Sequence, residues 1–186
     1  MREVIILATL DCILASGFRF TVDEVAARAG VSRASVYRHF PGGREQLLHE
    51  TVAWEVSSFF TRIAEAVAHV PDLRSRLALA LLEGRRLLRG HRLLERVLVE
   101  DPETLVAELQ LVMPMVFEGV RSYLRPLLER EKLVEGVDTD EAADYLARMF
   151  LSHLGSEGLG DLGDPERVRR LVDTRFTAGV LARPEG

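Results

Sequence analysis

Arg33, Ser35, Tyr37, Arg38 and His39 crowd into seven consecutive positions, with Ser32 just ahead of them and Arg44 shortly behind. Arginine carries a planar fork that matches guanine O6 and N7 in the major groove, or neutralises a phosphate. Serine, tyrosine and histidine supply donors for phosphate oxygens, and a tyrosine ring also fits against a thymine methyl. From Ala26 to Arg44 there are four arginines and no acidic residue. This set suits contact with a nucleic-acid duplex better than bond-breaking chemistry.

Such side chains need a rigid mount, and the residues around them describe one. Gly30 separates two helical patterns, where it can take the left-handed conformation that ends a helix without steric cost. Ser32 is placed to cap the next helix, and Thr21 to cap the preceding one. At Thr21 the hydroxyl and the helix N-terminus together would hold a phosphate. Val25, Ala29, Val31 and Val36 recur at spacings that bring them together across the turn, and Ala26 is small where the helices must approach. Arg33, Ala34, Ser35, Tyr37, Arg38 and His39 are left outside or at the edge. The spacing predicts two short helices with a tight turn, the second built to enter a DNA groove. A single arginine fits better on the solvated face of an ordinary helical hairpin. Turn, packing and polar face agree only on the DNA reader.

The run from Thr21 to Ser32, then Val36-Tyr37-Arg38-His39-Phe40 and Arg44-Glu45-Gln46-Leu47-Leu48, resembles the DNA-binding domain of TetR-type (tetracycline-repressor-like) transcriptional regulators. The apolar first helix ending in Ala15-Ser16-Gly17-Phe18 fits the same pattern, so the likeness covers about residues 3 to 50. There are departures. The link Arg19-Phe20 is shorter than usual, and the usual Lys-Glu after the second helix is replaced by Pro41-Gly42-Gly43-Arg44-Glu45. The basic segment ahead of the first helix is reduced to Arg2.

The resemblance implies an all-α fold, with a three-helix helix-turn-helix domain over residues 1–46 and a helical regulatory and dimerisation domain over 47–186. It implies a regulator, most simply a repressor, that binds a palindromic operator as a homodimer and is released when a small apolar effector shifts its conformation. The DNA-binding set is then Thr21, Ser32, Arg33, Ala34, Ser35, Tyr37, Arg38, His39 and Arg44. The last two helices, about 140–156 and 165–182, would form the dimer interface through Leu146, Phe150, Leu154, Leu171, Val172 and Leu181. Burial of those six within the subunit is equally compatible with their spacing. Pocket candidates are Trp54, Phe59, Phe60, Met113, Met115, Phe117, Tyr145, Met149 and His153, an aromatic and methionine set that also suits plain core. Two other readings compete: a DNA-binding factor of the same fold without a small ligand, architectural or division-type, and a small helical enzyme or carrier.

Composition narrows these readings. The chain has 186 residues, a formal net charge of -5 and 47% hydrophobic residues, enough for a real core. Residues 1–50 carry six arginines against six acidic residues, while 51–186 carry 18 basic against 23 acidic. The positive charge is therefore confined to the proposed DNA face. Cys12 is the single cysteine, expected as a small buried hydrophobe, so no disulfide framework is expected within the chain. The five histidines show no metal-ligand spacing, and no catalytic constellation stands out. Neither a cofactor nor enzymatic activity is expected. Gly158-Leu159-Gly160-Asp161-Leu162-Gly163 matches a dinucleotide-binding string, but a helical pattern precedes it where that fingerprint needs a strand. No window is apolar enough to span a bilayer, and Met1 to Leu7 does not read as a secretory leader, so a cytoplasmic protein is expected.

Beyond Arg44 the pattern predicts helices throughout. An apolar stripe runs from Leu47 to Val67, broken by Pro71-Asp72, and resumes from Leu73 to Leu88. Gly90-His91 predicts a further break, and Asp101-Pro102-Glu103 starts a helix expected to reach about Glu131 with Pro114 and Pro126 inside it. Asp138 and Asp164 open the last two.

Overall fold

Capping residues set most helix starts in the computed structural model, which describes residues 1–155 and 164–182. The elements are α1 (Arg2–Ser16), a short 3₁₀ turn (Gly17–Arg19), α2 (Val22–Ala29), α3 (Arg33–His39), α4 (Gly43–Val67) and α5 (Leu73–Arg89). Then follow α6 (Arg92–Glu100), α7 (Pro102–Leu128), α8 (Thr139–Gly155) and α9 (Pro165–Leu171). Thr21, Ser32, His91 and Asp164 each accept a backbone N–H at a helix start, which satisfies donors that have no intrahelical partner. Asp138 does the same for Asp140 and Glu141 as α8 opens. The only extended pairing among the described residues is an antiparallel bridge between Leu133 and Leu181. The fold is all-α, and the string Gly158 to Gly163 lies outside the described residues.

The chain divides into two compact units, Met1–Ser58 with Gly90–Met113, and Phe59–Arg89 with Pro114–Gly186. In the first unit α1 buries Ile5, Ile6, Ala8, Cys12 and Ile13. Phe18, Phe20, Val25, Val36, Phe40 and Leu47 are buried in the same unit, so the turn and α3 hang from a continuous apolar base. Burial pushes the Cys12 thiol above its ordinary range, as a packed hydrophobe requires.

Helix α6 is fastened within this unit at both ends. His91 Nδ1 accepts from the Leu94 amide at 3.2 Å, and this cap assigns the ring hydrogen to Nε2, which donates to Glu55 Oε1 at 2.9 Å. At the other end Arg96 Nη1 donates to the Leu14 carbonyl at 2.5 Å, meeting an orphan acceptor near the C-terminus of α1. Arg96 also pairs with Glu100 at 2.8 Å. Gly17, at φ +64°, leaves room for that carboxylate; a Cβ there would lie 2.6 Å from Glu100 Oε2.

The second unit packs α5, α8 and α9 with parts of α4 and α7 around Phe59, Ile63, Leu77, Leu81, Leu128, Leu146, Phe150 and Phe176. Gly84 on α5 permits the tightest approach, since a Cβ there would lie 2.5 Å from Leu154 Cδ1 and 3.1 Å from Ile63 Cδ1. The final helix departs from the expected span of 165–182. Regular α-helix stops at Leu171, a wider π turn follows over Val172–Phe176, and the chain then leaves the helix to pair with Lys132–Val134. Val168, Val172, Phe176 and Val180 are all buried at a constant spacing of four. A 3.6-residue helix lets such a row drift off its face, and a wider turn holds it in line.

Of the two readings of the six apolar residues on the last two helices, this packing fits burial within the subunit. Leu146, Phe150, Leu154, Val172 and Leu181 are buried in their own subunit, and Leu171 is half-buried against the same core. An apolar row that already has partners offers nothing to a second copy.

Candidate nucleic-acid interface

The mount forms as the residue types dictate. Thr21 and Glu24 make a reciprocal capping box: the Thr21 hydroxyl accepts from the Glu24 amide at 3.2 Å, and the Thr21 amide donates to Glu24 Oε2 at 2.7 Å. The Thr21 amide, then its hydroxyl, hold the Glu24 carboxyl below its ordinary range. Gly30 ends α2 at φ 66°, ψ 32°, in the left-handed region, and its amide bonds back to Ala26 and Ala27. Ser32 Oγ then accepts from the Ser35 amide at 3.1 Å to start α3. Val36 is fully buried and anchors α3 to the domain.

With Val36 turned inward, Ser32, Arg33, Ala34, Tyr37 and Arg38 are exposed and Ser35 and His39 are half-buried. The outward face is pre-arranged by contacts among its own members. The Arg33 guanidinium lies 5.5 Å from the Tyr37 ring centroid and 3.1 Å from Asp23 Oδ2. The Tyr37 side chain, and then the Asp23 charge, push the Arg33 guanidinium above its already high range. Arg38 Nη2 donates to Ser35 Oγ at 3.1 Å. Tyr37 leans on the backbone of Gly43, where a Cβ would meet ring Cε1 at 3.1 Å. A cation–π pair of Arg33 and Tyr37 beside a second arginine is suited to base edges and phosphates of a duplex.

Two members of the expected set are engaged elsewhere. Arg44 Nε donates to the Phe20 carbonyl at 3.1 Å, its Nη2 donates to the Phe18 carbonyl, and its guanidinium stacks 5.3 Å over the Phe20 ring. It fastens the start of α4 to the segment entering α2. The Thr21 hydroxyl both accepts from and donates to Glu24, and that carboxylate sits where the sequence suggested a phosphate. Sequence reasoning missed Asp23, Gly43 and Arg2. The Pro41-Gly42-Gly43 run was the signal for Gly43, because a residue that accommodates Tyr37 has to lack a side chain there.

The pocket candidates do not gather in one unit. Trp54 and Met113 belong to the first, and Met113 is exposed. In the second, Phe59 is buried edge-on to Phe60 at 5.2 Å, and Phe117 lies under the Arg148 guanidinium at 4.5 Å. His153 meets the Phe176 ring at 5.0 Å, and its Nδ1 donates to the Met149 carbonyl at 2.8 Å. Tyr145 is exposed, its hydroxyl donating to the Arg175 carbonyl at 2.8 Å, and Met115 is exposed as well. Among the described residues no helix is long and apolar enough to cross a membrane, and no group of three or more His, Cys, Asp or Glu could hold a metal ion.

Comparison with known proteins bears on this geometry. The family model for bacterial regulatory proteins, tetR family, matches residues 5–51, the segment that carries the mount and the exposed face. The nucleoid occlusion factor SlmA of Alteromonas mediterranea is 30% identical over 149 residues, spanning 74% of this chain and 70% of that protein. The TetR family repressor AlkX from Dietzia sp., implicated in biodegradation of n-alkanes, superposes with a TM-score of 0.64 at 20% identity, over 92% of this chain and 91% of its own. A SmeT–triclosan complex gives 0.61 at 24% identity, over 98% and 92%. At those two identities the structures speak for the fold, whereas the SlmA match and the family model speak for kinship. The chain belongs to the tetR family of bacterial regulatory proteins and is a DNA-binding regulator.

Proposed function

We propose that the protein is a cytoplasmic homodimeric repressor that reads a palindromic operator through Arg33, Tyr37 and Arg38, with Ser32, Ala34, Ser35 and His39 beside them. The observation that carries this reading is the exposed face of α3, with Arg33 held against Tyr37, in a stretch free of acid from Ala26 to Arg44. On this reading residues 1–46 serve as the DNA-binding domain and the remainder is regulatory. Two copies are needed for two recognition helices to reach half-sites about 34–36 Å apart. With the inner faces of α8 and α9 buried, the interface falls to their outer surfaces. The exposed Tyr145 ring supplies apolar area there, framed by Glu141 and Asp144 on α8 and by Arg167 and Arg170 on α9. An interface of this composition is salt-sensitive.

Thr21 and Arg44 keep a secondary role, reaching phosphate only if DNA displaces the contacts they make in the free protein. A small apolar effector is proposed to bind in the second unit near Phe60, Phe117, Met149 and His153, the half-buried members of the candidate set. The triclosan held by SmeT illustrates the ligand class. Effector binding would favour a state in which the α3 helices no longer match the operator, a coupling typically worth about 1–3 kcal/mol. The identity to SlmA favours a second reading, a DNA-binding factor of nucleoid occlusion that takes no small ligand.

The experiment starts with duplexes selected by the protein from a randomised pool, then measures their binding with and without a library of apolar compounds. The proposal predicts an enriched palindrome, lost with Arg33→Ala or Tyr37→Ala at unchanged circular dichroism, and a compound that weakens binding. Selection without any compound effect would favour the second reading. No enrichment would overturn both.

A further inference from the structure

Arg2 carries the first basic charge of the chain, at the position where an N-terminal arm would meet DNA. Its geometry is that of an internal brace. Nη1 donates to the carbonyl of His39, the last residue of α3, at 2.6 Å. Nη2 is ion-paired with Glu50 on α4. The guanidinium lies 4.4 Å from the centroid of the Phe40 ring, which is itself fully buried. One side chain at the start of α1 thereby grips the C-terminal end of the recognition helix, the residue that closes it and the helix that follows. The last carbonyls of a helix have no intrahelical donors and carry partial negative charge, so a cation with a planar fork is a favourable partner. Glu50 is fixed in turn, its Oε1 accepting from Gln46 Nε2 at 2.8 Å.

We infer that Arg2 is a positioning residue for DNA reading: it sets the seat of α3 through His39 and Glu50 and touches no phosphate itself. Arg44 makes the matching grip on the carbonyls of Phe18 and Phe20, just ahead of α2. The helix-turn-helix is therefore held at its entrance and its exit by two arginines, each stacked on a phenylalanine. A brace and a phosphate ligand differ in a measurable way. Removing a side chain that neutralises one phosphate lowers the slope of log affinity against log salt by about 0.9, whereas a misplaced reader loses discrimination between sequences.

This inference rests on the DNA-binding reading. The test uses the full chain, a duplex it selects from a randomised pool, and a scrambled duplex of the same composition. Binding is measured by fluorescence anisotropy from low to high potassium chloride for wild type, Arg2→Ala, Arg2→Lys, Glu50→Gln and, as the comparator, Arg38→Ala. Arg2→Ala and Glu50→Gln should each lose about tenfold in affinity for the selected duplex, with little change on the scrambled one and an unchanged salt slope. Arg2→Lys should not fully restore the loss, because an ammonium, although it has three donors, lacks the planar fork that reaches the His39 carbonyl and the Glu50 carboxylate while lying over Phe40. Should Arg2→Ala fail to fold by circular dichroism, Glu50→Gln, which keeps the charge of Arg2, decides the matter. A slope reduced as in Arg38→Ala, or full rescue by Arg2→Lys, would overturn the brace. Unchanged discrimination in both variants would overturn it too. A wild-type protein that selects no duplex would instead refute DNA reading itself.

Discussion

Arg33 Nη1 lies 3.1 Å from Asp23 Oδ2, so an exposed reader on α3 is tied in the free protein to a carboxylate on α2. Both side chains are more than half exposed, at 61% and 65%, and such a pair adds little to stability. Its consequence is for binding: a phosphate or guanine has to displace Asp23. Asp23→Asn should tighten binding to duplexes of any sequence by about two- to fivefold at low salt, the gain fading as salt rises. Titration of scrambled and selected duplexes at two ionic strengths checks this, and equal affinities for variant and wild type would show that Asp23 does not restrain Arg33.

Tyr37 and Gly43 form the second dependency. Gly43 sits at φ +63°, and a Cβ there would press on the tyrosine ring at 3.1 Å. Gly43→Ala should lower stability by about 1 kcal/mol or more from backbone strain alone. It should also weaken operator binding beyond any loss of folded protein, since the ring must move. A thermal melt paired with an anisotropy titration separates the two effects.

Glu24 sets a pH dependence. Its carboxyl is held below its ordinary range in the folded state by the Thr21 amide and hydroxyl, so folding favours the carboxylate. The stabilisation is present above the ordinary carboxylate range and is lost as pH falls through the lowered folded value. Urea unfolding of wild type and Glu24→Gln should differ at neutral pH and converge in acid. A gap that persists in acid would assign the effect to something other than ionisation.

Cys12 is 3% exposed and its thiol is raised, first by desolvation. A disulfide reagent at neutral pH should modify it on the timescale of unfolding and promptly in denaturant. Fast native labelling would show that α1 opens locally.

Much of this site was legible in the residue order. Gly30, Ser32 and Thr21 have stereotyped local duties, and Val36 had to turn inward once its neighbours were charged. Arg44 misled because an arginine in a basic stretch reads alike whether it faces phosphate or a backbone carbonyl 26 residues away, and nothing in the residue order tied Arg2 to a carbonyl 37 residues on. The row Val168, Val172, Phe176 and Val180 was visibly apolar, but whether it faces its own core or a second copy depends on Leu133 and Ala78 lying nearby in the fold, which periodicity does not encode. The early end of the last helix follows from that same packing.

DNA reading by α3 requires its side chains to meet phosphates and bases, and the salt dependence of binding to a selected duplex tests this most directly. Wild type should show log affinity falling linearly with log potassium chloride. Arg38→Ala should flatten that line by about 0.9 for each phosphate left without its cation, and Tyr37→Ala should weaken the selected duplex more than the scrambled one. Folded variants that bind both duplexes as wild type does, with the same slope, would contradict it.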